Sequence, residues 1–323
     1  MLRLASIVAA FALVFLPAEN GFAQSYPTRP IKLVVGQAPG GPSDNIGRTI
    51  GQKLAEILNQ PVVIENRGGA SGTIATEMVA RGPHDGYTLL VGGSSNLVSG
   101  PLAGEVRYDA IRDFVPIGGA LIIPNALAVN PRVPATTVWE LIAYARAHPG
   151  RLTYGSSGVG STSSIAVEWL KTAADVDIVH VPYRGIAPAV LALLSGEIDL
   201  VVTDLTLLAP HAKAGTLRLV AAAGARRASA AADLPTVAEQ GIPGFAIESW
   251  VGIVAPAGTP PEVVTKLNSA LSQALNAPDL RLRFKESGYE SFVDTPAQFG
   301  ALIRSDIERY TTLIKRAGLK VDP

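Results

Sequence analysis

The sequence predicts an α/β protein of two similar units, joined by two passes of the chain and separated by a cleft. Three observations carry this. Short Val/Ile/Leu runs alternate with helical stretches from residue 31 to residue 91, a βαβαβ rhythm. The rhythm restarts after about residue 126, and an apolar run at 247–255 with three helical stretches behind it leads the chain back to the first unit. Each small-residue loop falls at the carboxyl end of a strand, where open α/β sheets bind ligands.

Taken in order, 31–35 reads as a buried strand. It runs into Gly36-Gln37-Ala38-Pro39-Gly40-Gly41-Pro42-Ser43-Asp44, a Gly/Pro loop that opens a helix at Ser43 or Asp44. A strand, a glycine turn and a helix N-terminus together present free backbone N–H groups to an anion. An ordinary capped βα turn has the same pattern. Ile46, Ile50, Leu54, Ile57 and Leu58 share one face of the helix over 45–59. Next come a strand at 61–65, the loop Arg67-Gly68-Gly69-Ala70-Ser71-Gly72, a helix over 73–81 and a strand at 87–91. That strand ends in Gly92-Gly93-Ser94-Ser95-Asn96.

Strand-like runs at 121–124 and 126–130 lead into the second unit, with a helix over 138–148 and a strand at 152–154. The loop from Gly155 to Ser164 then opens a helix to about Ala174. Strands follow at 178–181, 199–203 and 217–222, with a helix to Ser195 after Pro182-Tyr183-Arg184-Gly185. Helices over 261–276, 279–287 and 296–317 finish the chain. The chain is thus expected to cross near 125 and return near 248, giving units 24–125 plus 249–323 and 126–248.

Hydrophobic residues make up 48% of the 323, enough for a large core. Basic and acidic residues balance at 27 each, which argues against nucleic acid as a partner. There is no cysteine, which excludes disulfides and thiolate chemistry. Arg3, the apolar run over 4–16 and the small residues of Gly21-Phe22-Ala23 read as an export signal cleaved after Ala23. No later segment reaches the roughly 18 apolar residues of a membrane span. The mature chain is expected in the periplasm, as a monomer.

Catalytic signatures are scarce. There is no G-x-S-x-G elbow, no G-K-[ST] phosphate loop and no complete G-x-G-x-x-G. His84, His148, His180 and His211 lack metal-binding spacing, and no metal or cofactor is expected. Neutral donors on strand-end loops are plentiful instead. Ser156, Ser157, Ser161 and Ser163 surround a helix N-terminus that carries about half a positive charge. A carboxylate there gains charge-assisted hydrogen bonds without Arg or Lys. Asp204, after the 199–203 strand, suits either a ligand amine or water in the cleft, or the N-cap of the next helix. Arg184 suits an anion or a solvated surface equally.

Across nearly the whole mature chain the sequence resembles the Bug-type receptors of tripartite tricarboxylate transporters. The resemblance rests on Tyr26-Pro27-Thr28-Arg29-Pro30-Ile31, Ala38-Pro39-Gly40-Gly41-Pro42-Ser43-Asp44, Val62-Val63-Ile64-Glu65-Asn66-Arg67-Gly68-Gly69-Ala70-Ser71-Gly72 and Pro83-His84-Asp85-Gly86-Tyr87-Thr88-Leu89-Leu90. It extends to Tyr154-Gly155-Ser156 with Gly158 and Gly160-Ser161, to Val181-Pro182-Tyr183-Arg184-Gly185, and to Ala255-Pro256-Ala257-Gly258-Thr259-Pro260.

The resemblance implies a two-lobed periplasmic-binding-protein clamshell (type II-like), each lobe a mainly parallel sheet flanked by helices. It implies a small organic acid as ligand and permease subunits of the cytoplasmic membrane as partners; a sensor-kinase ectodomain is the alternative. It places Gln37, Ala38, Gly40, Gly41 and Ser43 on one side of the ligand carboxylate, and Ser156, Ser157, Gly160, Ser161 and Ser163 on the other. Ser94, Ser95, Gly185 and Asp204 complete the expected pocket. Gln37 and Ala38 stand where an apolar residue and a proline are common, Ser164 where histidine is frequent, and Ile186 and Ala187 where glycines are common. A secreted serine hydrolase is the rival class; it needs a base beside a serine of the 156–163 loop, and no spacing supplies one.

Overall fold

The computed structural model describes residues 26–292 and 294–316; the export signal expected over 1–23 lies outside them. The first unit begins with β1 (Ile31–Val35), α1 (Pro42–Leu58), β2 (Val62–Asn66), α2 (Thr73–Ala80) and β3 (Thr88–Gly93). β1 pairs in parallel with both β2 and β3, with Leu33 opposite Ile64 and Leu89. Every β1 side chain except Lys32 is buried, as a central strand covered on both faces requires. After the short helix α3 (Gly100–Ala103) comes β4 (Phe114–Ile123).

The second unit follows at once. A single residue, Pro124, separates β4 from β5 (Asn125–Val129), which belongs to the other sheet. Then come α4 (Val138–Ala147), β6 (Thr153–Ser156), α5 (Thr162–Ala174), β7 (Val179–Pro182), α6 (Ile186–Ser195), β8 (Leu200–Asp204), α7 (Leu205–Lys213) and β9 (Arg218–Ala222). The chain rejoins the first sheet as β10 (Ser249–Pro256) and ends with α8 (Pro261–Asn276), α9 (Pro278–Glu286), β11 (Glu290–Ser291) and α10 (Pro296–Arg316).

The first sheet has the order β11-β4-β10-β3-β1-β2, the second β7-β6-β8-β5-β9. Both are mixed, where the sequence rhythm suggests mainly parallel sheets. The βαβ cores are parallel, as read. The crossing strands are not: β10 runs antiparallel to β3 and β4, and β5 antiparallel to β8 and β9. A strand that enters a sheet from the neighbouring unit needs no crossover helix, so nothing constrains it to run parallel.

The first half of β4 was not legible in the sequence, because Pro116, Gly118 and Gly119 interrupt its apolar pattern. The β10–β4 ladder has irregularities there, and Phe299 of α10 lies against the sheet. A Cβ at Gly252 would sit 2.4 Å from the Phe299 ring and 2.5 Å from the Gly118 carbonyl oxygen. The glycine therefore lets helix and sheet meet closely.

Candidate functional site

A small cavity of about 60 Å³ lies between the two sheets, walled by the strand-end loops of both. Four helices begin at it. Pro42 and Ser43 open α1, Thr162 and Ser163 open α5, Ile186 opens α6, and Asp204 caps α7. The first N–H groups of a helix have no partner within it, so these ends supply donors and partial positive charge. Among the described residues, no Lys, Arg or His lines the cavity, and Asp204 is the one charged residue on its wall.

The first loop is held by Asp44. Its carboxylate accepts from Gly40 N–H (2.9 Å), Arg48 Nε (3.0 Å) and Asn66 Nδ2 (2.8 Å). Asn66 also donates to the Gln37 carbonyl oxygen at 3.1 Å. Burial pushes the Asp44 carboxyl upward, but Arg48, the Gly40 N–H and Asn66 together hold it below the usual carboxylate range. Gln37 reaches the cavity, and its buried Oε1 has no donor among the described residues.

The opposing loop caps α5. Ser161 Oγ accepts from Ser164 N–H at 3.2 Å and lies 2.8 Å from Ser163 Oγ. Ser163 Oγ also accepts from Ser157 N–H at 3.2 Å. A third wall is the stretch after β3, where Ser95–Ser99 forms a π-helical turn, a rare geometry that recurs at functional sites. Asn96 pins it by accepting from Gly93 N–H and donating to Thr76 Oγ1, both at 2.8 Å.

The two sides touch across the cleft. Ser71 Oγ donates to the Val159 carbonyl oxygen at 2.8 Å. Thr162 N–H donates to Ser95 Oγ at 3.2 Å, and the two hydroxyls lie 3.0 Å apart. Ala70 and Ser71 hold φ of 45° and 57°, left-handed values that cost a non-glycine residue energy. Behind the cavity, Asn125 Nδ2 donates to Ser249 Oγ at 2.8 Å and ties the start of β5 to the start of β10.

Asp204 is the N-cap of α7, accepting from Thr206 N–H at 2.8 Å, and also reaches the cavity. It is 2% exposed. Burial raises its carboxyl to about 6, against the opposing hydrogen bonds from Tyr289 and Thr206.

Of the residues expected at the site, Gln37, Ser43, Ser94, Ser95, Ser157, Ser163 and Asp204 line the cavity. The others stand behind or beside it. The Gly40 N–H is taken by Asp44, and the Gly41 N–H turns to the Ala38 carbonyl at 3.4 Å. Ala38 packs against Gly185, where an added Cβ would lie 3.1 Å from the Ala38 Cβ. Gly160 faces Ala103, with room for no side chain: a Cβ would sit 1.9 Å away. Ser161 is spent on capping. Ser156 is fully buried, with its Oγ 2.6 Å from His180 Nε2. Ser71, Thr162, Asn125, Ser249 and Trp250 line the cavity without having been singled out. Ser71 and Thr162 had a signal, as members of strand-end small-residue loops; Asn125, Ser249 and Trp250 had none.

The Ser156–His180 contact supplies the base that the sequence lacks for a hydrolase. His180 stacks on Tyr154 with ring centres 4.5 Å apart, and burial lowers its pKa. Ser156 lies off the cavity wall, and its hydroxyl is engaged within its own loop with Gly158.

Two mixed α/β sheets, a double chain crossing and a cleft between strand ends define a periplasmic-binding-protein clamshell, here with its walls in contact. The chain belongs to the tripartite tricarboxylate transporter family receptors, whose family model matches residues 46–319. It is 31% identical to Protein BugT of Bordetella pertussis over 323 residues, covering 99% of each chain. It is 35% identical over 291 residues to a UPF0065 protein from the tcbD-tcbE intergenic region of Pseudomonas sp. strain P51, covering 90% of this chain and 87% of that protein. Similar solved structures include R. palustris Rpa4515 with adipate, at TM-score 0.87 and 37% identity, covering 91% of this chain and 98% of that one. MatC (Rpa3494) from Rhodopseudomonas palustris with bound malate superposes with TM-score 0.85 at 32% identity, covering 90% and 100%. Members of this family are solute-binding receptors, not enzymes.

Proposed function

We propose that this protein is a periplasmic receptor that closes its two lobes on a small organic carboxylate and delivers it to membrane permease subunits. The observation that carries the reading is the cavity wall: helix N-termini and serine and threonine hydroxyls from both sheets converge on it, with no cationic side chain among the described residues. Such a wall suits an anion held by hydrogen bonds in a desolvated space. The adipate and malate bound by the two R. palustris proteins support a carboxylate as that anion. On this reading the lobes are 24–125 with 249–323, and 126–248, after removal of an export signal over 1–23. The β4–β5 and β9–β10 connections act as the hinge.

Titration calorimetry of protein unfolded, freed of ligand and refolded tests the reading against mono-, di- and tricarboxylates. Saturable one-to-one binding of at least one acid is expected. Absence of binding across the panel contradicts it. Co-precipitation with the permease subunits in the presence of that acid tests the delivery step.

A further inference from the structure

We propose that the ligand carries a hydrogen-bond donor, a hydroxyl or an ammonium, beside its carboxylate, and that Asp204 accepts from it. The inference rests on the carboxylate-receptor reading and specifies the class of acid. It starts from a mismatch in the cavity. A site for an anion has, among the described residues, a single charged group on its wall, and that group is acidic.

Asp204 is not neutralised by its neighbours. Oδ1 accepts from Thr206 N–H at 2.8 Å, and Oδ2 accepts from the Tyr289 hydroxyl at 2.6 Å. Thr206 Oγ1 lies 3.0 Å from both Oδ2 and the Tyr289 hydroxyl. None of these donors is charged. A carboxylate offers about four acceptor positions, so at least one on Oδ1 remains open. The second groove that Asp204 borders carries Arg48, Lys213, Arg283 and Glu286, but among the described residues its side chain is hydrogen-bonded only to Thr206 and Tyr289.

Gln37, on the wall of the same cavity, carries a second acceptor without a donor among the described residues, its buried Oε1. Two acceptors without a full set of donors call for a ligand that brings donors. A plain dicarboxylate brings the opposite: its second carboxylate would meet the Asp204 carboxylate in a desolvated space, where like charges repel strongly. A hydroxyl satisfies an open acceptor, and an ammonium also balances the charge.

The test is calorimetry on matched sets, each an acid with its 2-hydroxy and 2-amino counterparts: propionate, lactate and alanine; succinate, malate and aspartate; glutarate, 2-hydroxyglutarate and glutamate. A donor-bearing member is expected to bind at least about tenfold tighter than the plain acid of its set, the factor that about 1.4 kcal/mol gives. In Asp204→Asn, which keeps the shape and removes the charge, that ratio should fall at least about fivefold, while the plain acid binds as well or better. Circular dichroism confirms that the variant folds, and the wild-type ratios stand without it. Plain acids binding as tightly as their counterparts in every set would overturn the inference and leave the receptor reading intact. So would an unchanged ratio in folded Asp204→Asn. Absence of binding by every acid, plain or substituted, would sink both.

Discussion

Tyr289 donates its hydroxyl to Asp204 Oδ2 at 2.6 Å, joining the segment before β11 of the first sheet to the end of β8 in the second. The bond is partly buried and lies where the cavity meets the neighbouring groove, which both residues border. The contact that positions Asp204 is thus also a tie between the two lobes. Tyr289→Phe should leave Asp204 with fewer donors and raise its pKa further. The expected loss is about 1–2 kcal/mol of stability, read by chemical denaturation.

Asp204 also sets a pH dependence. Its folded-state pKa is raised to about 6, above the ordinary 3.8. The folded state therefore binds a proton more tightly than the unfolded chain between those values, and this group adds stability as pH falls from about 6 toward 4. The gain should be on the order of 1–2 kcal/mol, relative to Asp204→Asn over the same range. Asp44 acts in the opposite sense. Its pKa is lowered, so its contribution is present at neutral pH and is lost as pH falls through the folded value. Denaturation curves at pH 7 and 5 for the wild type and Asp204→Asn isolate the first effect; an unchanged difference between the two proteins would contradict it.

Gly40 and Gly41 should respond differently to valine. Gly41 has φ −76°, which any residue adopts, but an added Cβ would lie 3.1 Å from Gln37 Oε1. Gly41→Val should keep the fold and weaken ligand binding at least about tenfold by displacing Gln37. Gly40 has φ 85°, and an added Cβ would meet nothing within 4 Å. Gly40→Val should cost about 1–3 kcal/mol of stability through backbone strain. Thermal melts and calorimetry on the two variants separate the effects.

Ser71 trades strain for a contact across the cleft. Its left-handed φ is unfavourable, and its hydroxyl reaches the Val159 carbonyl. Ser71→Gly should relieve the strain and lose the bond. Affinity should fall by about threefold to tenfold, as loss of one neutral hydrogen bond gives, with stability held or raised. Small-angle scattering with and without ligand should show a more open ligand-bound state than in the wild type.

The sequence carried the fold further than the site. Strands such as β1 and β8 are short apolar runs ended by Gly, Pro or Asp, and helices such as α8 have one clean apolar face, so local pattern sufficed. β4 failed because its paired glycines are explained by groups far along the chain, Phe292 packed against Gly119 and Asn268 and Leu271 against Gly118. At the site, loop composition marked where donors gather but not which way they point. Ser156 and Ser157 are adjacent and alike, yet one hydroxyl turns to His180 and the other residue lines the cavity. Asn125 and Ser249 belong to no motif; they reach the cavity only because both chain crossings pass behind it.

The central claim is that the cleft holds a carboxylate by hydrogen bonds from helix ends and hydroxyls. Calorimetry comparing the best-bound acid with its methyl esters tests it most directly. Esterifying the gripped carboxylate removes the charge and should lower affinity at least about a hundredfold. Equal affinity for the acid and every one of its methyl esters would contradict the account.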